Sequence, residues 1–156
     1  MANRGNFEVL PVVGCLRGYS RKIAVIGCYI PPNYTVKRGK ECLEHITDIV
    51  LEVRRRYDDP FVVIGGDFNQ WDIAGALEDY ADLVESDVGP SRGSRRIDRL
   101  FSNFSGNVEA AGTLPPLETD DRSRRSDHKI TFIEAVLPKK KSFKMLKYTY
   151  LSLIHI

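Results

Sequence analysis

Residues 61–69 read Phe-Val-Val-Ile-Gly-Gly-Asp-Phe-Asn, an apolar run that ends in two glycines, an acid and an amide. Four β-branched or aromatic residues in succession favour a strand that is covered on both faces, as in an α/β fold. Such folds collect binding and catalytic groups at strand ends. Side chains alternate along a strand, so we expect Asp67 and Asn69 to point to one side and Phe68 to the other.

A second motif, Ser126-Asp127-His128, stands just before another apolar run, residues 130–133. An imidazole beside a carboxylate can be held in one tautomer and serve as a general acid or base. Asp98 lies within the apolar run 97–101, where a charged residue needs either a solvated face or a partner. We expect Asp98 to pair with His128 and to raise the basicity of its ring.

Each of these motifs also has a purely structural interpretation. The acid and amide of residues 67–69 are common turn formers and could cap a strand end. The tripeptide 126–128 could be a turn with a surface histidine. Asp98 could face solvent in an alternating strand.

Tyr29 closes a further apolar run, residues 23–30, just before the sequence Pro31-Pro32-Asn33. A tyrosine hydroxyl at a strand end could donate to a phosphate oxygen, and the Asn33 amide could do the same. Tyr29 is equally consistent with an aromatic core residue that precedes a turn.

The remaining pattern predicts a mixed α/β domain. Residues 7–16 and 21–30 form a hairpin, because two β-branched runs flank a turn-like stretch. Apolar residues at spacings of three and four predict a helix over residues 39–57, which Pro60 ends. We expect a short helix at 73–80, loops at 86–96 and 113–126, and strands at 97–101, 108–112 and 130–137.

At 156 residues the chain is the size of one domain, and its net charge is only +2. The arginines nevertheless cluster at 92–96 and 122–125, beside the acid motifs. These clusters are either solvated loops or phosphate contacts, and for the second case we select Arg95 and Arg125.

Three cysteines without paired spacing, no apolar leader and no membrane span favour an intracellular protein, nuclear or cytoplasmic.

Taken in order, four motifs resemble the endonuclease/exonuclease/phosphatase superfamily. They are Tyr29-Ile-Pro-Pro-Asn33, Gly66-Asp67-Phe68-Asn69, Ile97-Asp98-Arg99-Leu100 and Ser126-Asp127-His128. The stretch Gly-Pro-Ser-Arg-Gly at 89–93 and the basic tail ending Tyr148-Thr149-Tyr150 look like the endonuclease domain of LINE-type, non-LTR retrotransposons. The resemblance implies a four-layer α/β sandwich, in which two mixed sheets are flanked by helices.

The resemblance also implies catalytic roles. Asp67 would activate or orient the attacking water, with Asn69 beside it. His128 would stabilise the pentacovalent phosphate and act as acid–base partner, held by Asp98. The reaction would be a nick in a DNA strand, made to prime reverse transcription.

Binding roles follow from the same resemblance. Asp127 would help to bind Mg²⁺ or Mn²⁺, and Tyr29, with Asn33, would contact the scissile phosphate. The partners would be DNA and, in a parent polyprotein, a reverse transcriptase domain.

One departure from the family is large. The asparagine strand and the metal-binding glutamate of its N-terminal half have no counterpart here, and Glu8 lies in the wrong context to replace the glutamate. We therefore expect residues 7–137 to be the C-terminal part of the domain, impaired or inactive as a fragment, and 138–156 to be a basic tail or linker whose last residues are possible artefacts. The alternatives are another phosphoesterase acting on an inositol phosphate, a lipid or RNA, and a non-catalytic nucleic-acid-binding remnant.

Overall fold

The computed structural model describes residues 6–77, 79–83, 90–93, 95–104, 108–116, 127–137 and, for the backbone, 151–152. One long helix is present in these residues, α1 (Val36–Arg56), together with a short 3-10 turn at Ala74–Ala76. The strands are β1 (Glu8–Cys15), β2 (Lys22–Tyr29), β3 (Phe61–Asp67), β4 (Ala81–Asp82), β5 (Asp98–Ser102), β6 (Val108–Leu114), β7 (Ile130–Ala135) and β8 (Leu151–Ser152).

The strands form two sheets. The first has the order β1-β2-β3-β5-β4, and it is mixed because β2 and β3 run parallel while the other neighbours are antiparallel. A parallel pair needs a crossover, which α1 provides. The second sheet has the order β6-β7-β8, with antiparallel pairing between the described strands.

Helix α1 covers one face of the first sheet. Its apolar stripe, which includes Cys42, Ile46 and Val50, packs against alternate residues of β2 and β3 such as Ile26 and Ile64. The helix begins three residues earlier than the pattern predicts, because the Thr35 hydroxyl accepts a hydrogen bond from the Arg38 amide and caps the first turn.

The second sheet packs on the opposite face of the first. Val63 of β3 and Leu100 of β5 are buried there against Ile133 of β7. Helix, first sheet and second sheet are thus three layers of the predicted sandwich. Strand β3 is covered on both faces, as its continuous apolar sequence predicts. At the sheet's β1 edge, Leu10 remains 68% exposed.

Two of the predicted elements are wrong. Residues 113 and 114 belong to β6 and not to a loop, because Thr113 and Leu114 still pair with the start of β7. The short helix expected at 73–80 is a single 3-10 turn, in which the amides of Ala76 and Leu77 bond three residues back. Among the described residues, no helix combines the length and the apolar character that crossing a bilayer requires.

The division of the chain into a domain at 7–137 and a tail at 138–156 stays a prediction. Residues 138–150 and 153–156 lie outside the described residues. The backbone of Leu151–Ser152 pairs with β7 in the second sheet.

Gly66 cannot carry a side chain. Its φ is +153°, and a Cβ placed on it would lie 1.8 Å from the carbonyl oxygen of Cys28 on the adjacent strand. We expect Gly66→Ala to destabilise the protein by about 3 kcal/mol, since backbone must move to relieve the contact. Urea denaturation measures the loss. Gly27→Ala is the matched control, because its Cβ would meet the nearest atom at 3.9 Å. Equal stability of the two variants would contradict this packing.

The three thiols should differ in reactivity. Burial raises the pKa of the Cys28 thiol to about 12, and burial also raises that of Cys42, whereas Cys15 is exposed. At pH 8 the two buried thiols therefore hold little thiolate, the reactive form. We expect a thiol reagent to label Cys15 quickly in the native protein and the other two only on unfolding. The fast phase should vanish in Cys15→Ser; its persistence there would show that the core is open.

Candidate functional site

Strand register brings the candidate residues of three strands into one row. Tyr29 of β2 pairs with Asp67 of β3, and Asp67 pairs in turn with Asp98 of β5. Cross-strand partners project to the same face of a sheet, so the three side chains share the face that receives the second sheet. Glu8 of β1 pairs with Tyr29 and extends the row, although its sequence context differs from that of the family's metal-binding glutamate.

The strand does not continue through the Gly-Gly-Asp-Phe-Asn motif as the alternation argument assumed. It ends at Asp67, and Asn69 has a φ of +50°, a left-handed conformation that asparagine tolerates. The Asn69 amide donates to Asp67 Oδ1 at 3.0 Å, and its side-chain Nδ2 donates to the Ile30 carbonyl at 2.9 Å. The motif is therefore a true Asx turn, and this turn fixes one oxygen of Asp67.

Two further bonds anchor this turn to its neighbours. The Ile30 amide donates to the Asp67 carbonyl at 3.0 Å, and the Phe68 amide donates to the Ile97 carbonyl at 2.9 Å. The indole of Trp71 donates to the Pro31 carbonyl, and its ring packs against the apolar core. The ends of β2, β3 and β5 are thus tied together around Asp67.

His128 reaches this row from the second sheet. It stands just before β7, and its Nδ1 lies 2.9 Å from Asp98 Oδ2 and 3.1 Å from Oδ1. The contact expected between Asp98 and His128 is present. The other ring nitrogen, Nε2, faces Asp67, whose Oδ2 is 4.0 Å away. The Asp98 carboxylate beside Nδ1 favours a proton on that nitrogen and fixes the orientation of the ring. Nε2, on the side of Asp67, is then the nitrogen available for chemistry.

Asp67, Asp98 and His128 each offer a ligand atom, and these atoms lie within 4.8 Å of one another. Asp67 is only 4% exposed, and a carboxylate at that depth is costly unless positive charge or donors offset it. Carboxylate oxygens are the ligands that Mg²⁺ and Mn²⁺ prefer. The two carboxylates of this set therefore fit a hard divalent cation.

Burial raises the pKa of the Tyr29 hydroxyl, and the negative charge of Asp67 raises it further, whereas Arg92 lowers it. Tyr29 consequently keeps its proton across the neutral range. A protonated phenol beside Asp67 can donate a hydrogen bond to a phosphate oxygen.

Asp127, the predicted metal ligand, lies at the outer margin of this cluster. Its Oδ1 is 3.8 Å from His128 Nε2, while its Oδ2 accepts hydrogen bonds from the Arg92 guanidinium. The side chain of Asp127 is 66% exposed. Its role as a metal ligand stays a prediction.

Ser91 is the residue that the sequence did not single out for a role of its own. It is 1% exposed, and its Oγ accepts hydrogen bonds from the amides of Ile97 and Asp98 at 3.1 and 3.0 Å. The Ser91 carbonyl accepts one from the Lys129 amide at 2.8 Å. Ser91 therefore joins the segment before β5 to the segment after His128. The only signal in the sequence was its place in the Pro-Ser-Arg-Gly turn.

The other predicted phosphate contacts are not joined to the cluster by the described contacts. Asn33 is exposed in the turn after β2, and Arg95 is exposed in the turn that also carries Arg92. Arg125 lies outside the described residues. Their roles stay predictions.

A small cavity of about 30 Å³ lies behind the cluster, between the two sheets. Its lining includes Asp67, Asp98, Arg99, Lys129 and Thr131. This volume suits one water molecule. The buried Thr131 Oγ1 and Arg99 Nε have no hydrogen-bond partner among the described residues, so an ordered water there would have groups to bind.

No protein-family profile and no curated protein sequence matches this chain. Solved structures do resemble it. A mannosyl-6-phosphatase of Bacteroides thetaiotaomicron superimposes with a TM-score of 0.57 at 18% identity, over 78% of this chain and 53% of that one. TDP2 of D. rerio, in complex with a single-stranded DNA product, gives a TM-score of 0.55 at 15% identity, over 78% and 58%.

A third structure, an endonuclease/exonuclease/phosphatase family protein of Bacteroides thetaiotaomicron, gives a TM-score of 0.54 at 17% identity, over 72% of this chain and 50% of that one. This chain thus spans about half the length of the structures that it matches. At such identities the likeness concerns the fold. The fold of this chain is accordingly a partial endonuclease/exonuclease/phosphatase fold, as the order of its motifs predicted.

Proposed function

We propose that this chain carries part of the active site of a metal-dependent phosphodiesterase and that its substrate is DNA. The observation that carries the proposal is the meeting of Asp67, Asp98 and His128 at one rim, with a carboxylate on each side of the imidazole. Such a set can accept a proton from water and stabilise charge on a phosphate. The fold is one on which phosphatases and a DNA-bound protein are built.

The geometry supports a role for each of these residues. Asp67 orients a water molecule and accepts its proton as the water oxygen bonds to phosphorus. His128 acts here in its protonated form: with Nδ1–H held by Asp98, its Nε2–H donates to the phosphate and passes that proton to the leaving oxygen as the old P–O bond breaks. The proton that Asp67 took from water then passes to Nε2, which restores both groups. Tyr29 donates to a second phosphate oxygen, since its raised pKa keeps it protonated.

A divalent cation, Mg²⁺ or Mn²⁺, would be held by Asp67 and Asp127 and would offset charge on the phosphoryl oxygens. The Asn69 turn positions Asp67 for this role, because it fixes Oδ1 and leaves Oδ2 directed at the imidazole side. The family's glutamate has no counterpart among the described residues, so we expect weak cation binding.

More specifically, we propose that the chain is part of a DNA-nicking endonuclease of a non-LTR retrotransposon. The parent polyprotein would also contain a reverse transcriptase, and the protein would act in the nucleus or cytoplasm. Its support is the resemblance of the four motifs and of residues 89–93 to that group. One structural neighbour is a mannosyl-6-phosphatase, so hydrolysis of a small phosphate ester is the competing function. Release of phosphate from small esters without nicking of plasmid would favour that alternative.

The first prediction concerns Asp98. We expect Asp98→Asn to slow Mg²⁺-dependent nicking of supercoiled plasmid by about 10²- to 10⁴-fold, since the ring then loses the carboxylate that orients it and stabilises its charged form. The matched control is Asp48→Asn, an exposed acid on α1, which should nick like the parent. Nicking by Asp98→Asn at the parental rate would contradict the acid–base role of His128.

The second prediction concerns cation binding and needs no turnover. At a Mn²⁺ concentration ten times its Kd, we expect the melting temperature to rise by roughly 3–5 °C, because a ligand of the native state stabilises it by mass action. Asp67→Asn should remove most of that rise, whereas Asp48→Asn should keep it. A rise of equal size in Asp67→Asn, measured by calorimetry, would place the cation elsewhere.

A further inference from the structure

The Arg92 guanidinium is joined to the catalytic cluster through a single carboxylate. Its Nε and Nη2 lie 2.7 and 2.6 Å from Asp127 Oδ2, so both nitrogens meet the same oxygen. The other oxygen, Oδ1, is 3.8 Å from His128 Nε2. The positive charge of the Arg92 guanidinium is therefore connected, through Asp127, to the imidazole nitrogen at which a substrate phosphate would bind.

The turn that carries Arg92 is well anchored. Arg92 and Arg95 exchange backbone hydrogen bonds of 3.0 and 2.9 Å, and Gly93 between them has a φ of +54°, in the left-handed region. Buried Ser91 precedes Arg92 and makes the three bonds to Ile97, Asp98 and Lys129. The backbone of Arg92 is thus fixed relative to Asp98, and only its side chain has to move when it changes partner.

The contact between Arg92 and Asp127 can be exchanged at low cost. The two side chains are 47% and 66% exposed, and ion pairs at that exposure contribute about 0–1 kcal/mol. A phosphate offers a guanidinium two oxygens in a planar arrangement, whereas here both nitrogens share one carboxylate oxygen. Phosphate is therefore the better partner.

The negative charge of the carboxylates around the site favours a positively charged side chain beside them. Asp67, Asp98 and Asp127 all lie within 4.0 Å of His128, and three carboxylates repel an incoming phosphate. Arg92 is already in contact with the outermost of them. Movement of its guanidinium onto the phosphate would also free the Asp127 carboxylate beside His128.

We propose that Arg92 binds the phosphate of the substrate, and that Asp127 holds its guanidinium in place while no phosphate is bound. This inference rests on the proposed phosphodiesterase function and names a residue for it other than Arg95 or Arg125. The exchange makes and breaks only ion pairs. Asp127 thereby gains a second role, since its carboxylate is released only when substrate arrives.

The test is a double-mutant cycle in metal-free binding. Fluorescence anisotropy with a short duplex DNA, in EDTA, compares the parent, Arg92→Gln, Asp127→Asn and the double variant. We expect Arg92→Gln to weaken binding about tenfold and to reduce the slope of log affinity against log salt by about 0.9, the value for one phosphate contact. Arg55→Gln removes an exposed arginine on α1, paired with Glu52, and should leave both values near the parental ones.

The cycle separates competition from simple repulsion. If Asp127 competes with DNA for Arg92, Asp127→Asn increases the affinity for DNA when Arg92 is present. The same change then gives no increase in the Arg92→Gln background. A gain of equal size in both backgrounds would overturn the proposal, because Asp127 would then act only through its charge. Unchanged affinity in Arg92→Gln would overturn it as well.

Two further measurements keep the outcome clear. Circular dichroism checks that each variant is folded. If Arg92→Gln is not folded, Arg92→Lys replaces it. Arg92→Lys should bind DNA more weakly but keep the parental salt slope, since lysine retains the charge without the planar guanidinium. Plasmid nicking tests the proposed function separately. Arg92-dependent binding with neither nicking nor an Asp67-dependent Mn²⁺ shift of the melting temperature would refute the phosphodiesterase and leave the phosphate contact standing. Nicking with no Arg92 dependence of binding would do the reverse.

Discussion

The pairing of β3 with β2 on one side and with β5 on the other is the constraint from which the site follows. It sets Tyr29, Asp67 and Asp98 opposite one another in a single row. Side chains alternate along a strand, so a shift of β3 by one residue would turn Asp67 into the helix-covered core and bring Gly66 to the site. The apolar core beneath α1 opposes that shift, because it would receive the Asp67 carboxylate without the partners that Asp67 has at the rim.

The same constraint explains how acids are tolerated at a buried rim. Asp67 is almost fully buried, yet the Asn69 amide donates to one of its oxygens and the other faces the His128 ring. Asp98 is satisfied by Nδ1 of that ring. The structural and functional interpretations of the Gly-Gly-Asp-Phe-Asn motif are therefore compatible. The Asx turn is the device that presents Asp67, and a buried carboxylate held in this way is suited to binding a cation or a proton.

Much of the fold could be predicted from local pattern, and the failures have identifiable physical causes. Continuous apolar runs correctly identified β2 and β3, and the spacing of Ile46 and Val50 identified α1. The end of β6 was missed because Thr113 and Leu114 owe their strand conformation to pairing with β7. The alternation argument failed at Asn69, where the backbone turns left-handed to bond Asp67. The pairing partner of a strand depends on residues far away in sequence, and such a turn depends on side-chain geometry. The periodicity of apolar residues therefore predicts neither.

The sequence by itself determined which chemical groups stand at the strand ends, namely a tyrosine, two acids and a histidine, because apolar runs mark the strands and polar residues mark where they stop. It also supported the pairing of Asp98 with His128. The tertiary structure alone decided that Ser91 is the buried link between β5 and the histidine segment, and that Arg92 is the arginine in contact with Asp127. The physical reason is distance along the chain: Arg92 and Asp127 are 35 residues apart, and only the packing of the second sheet on the first brings them together.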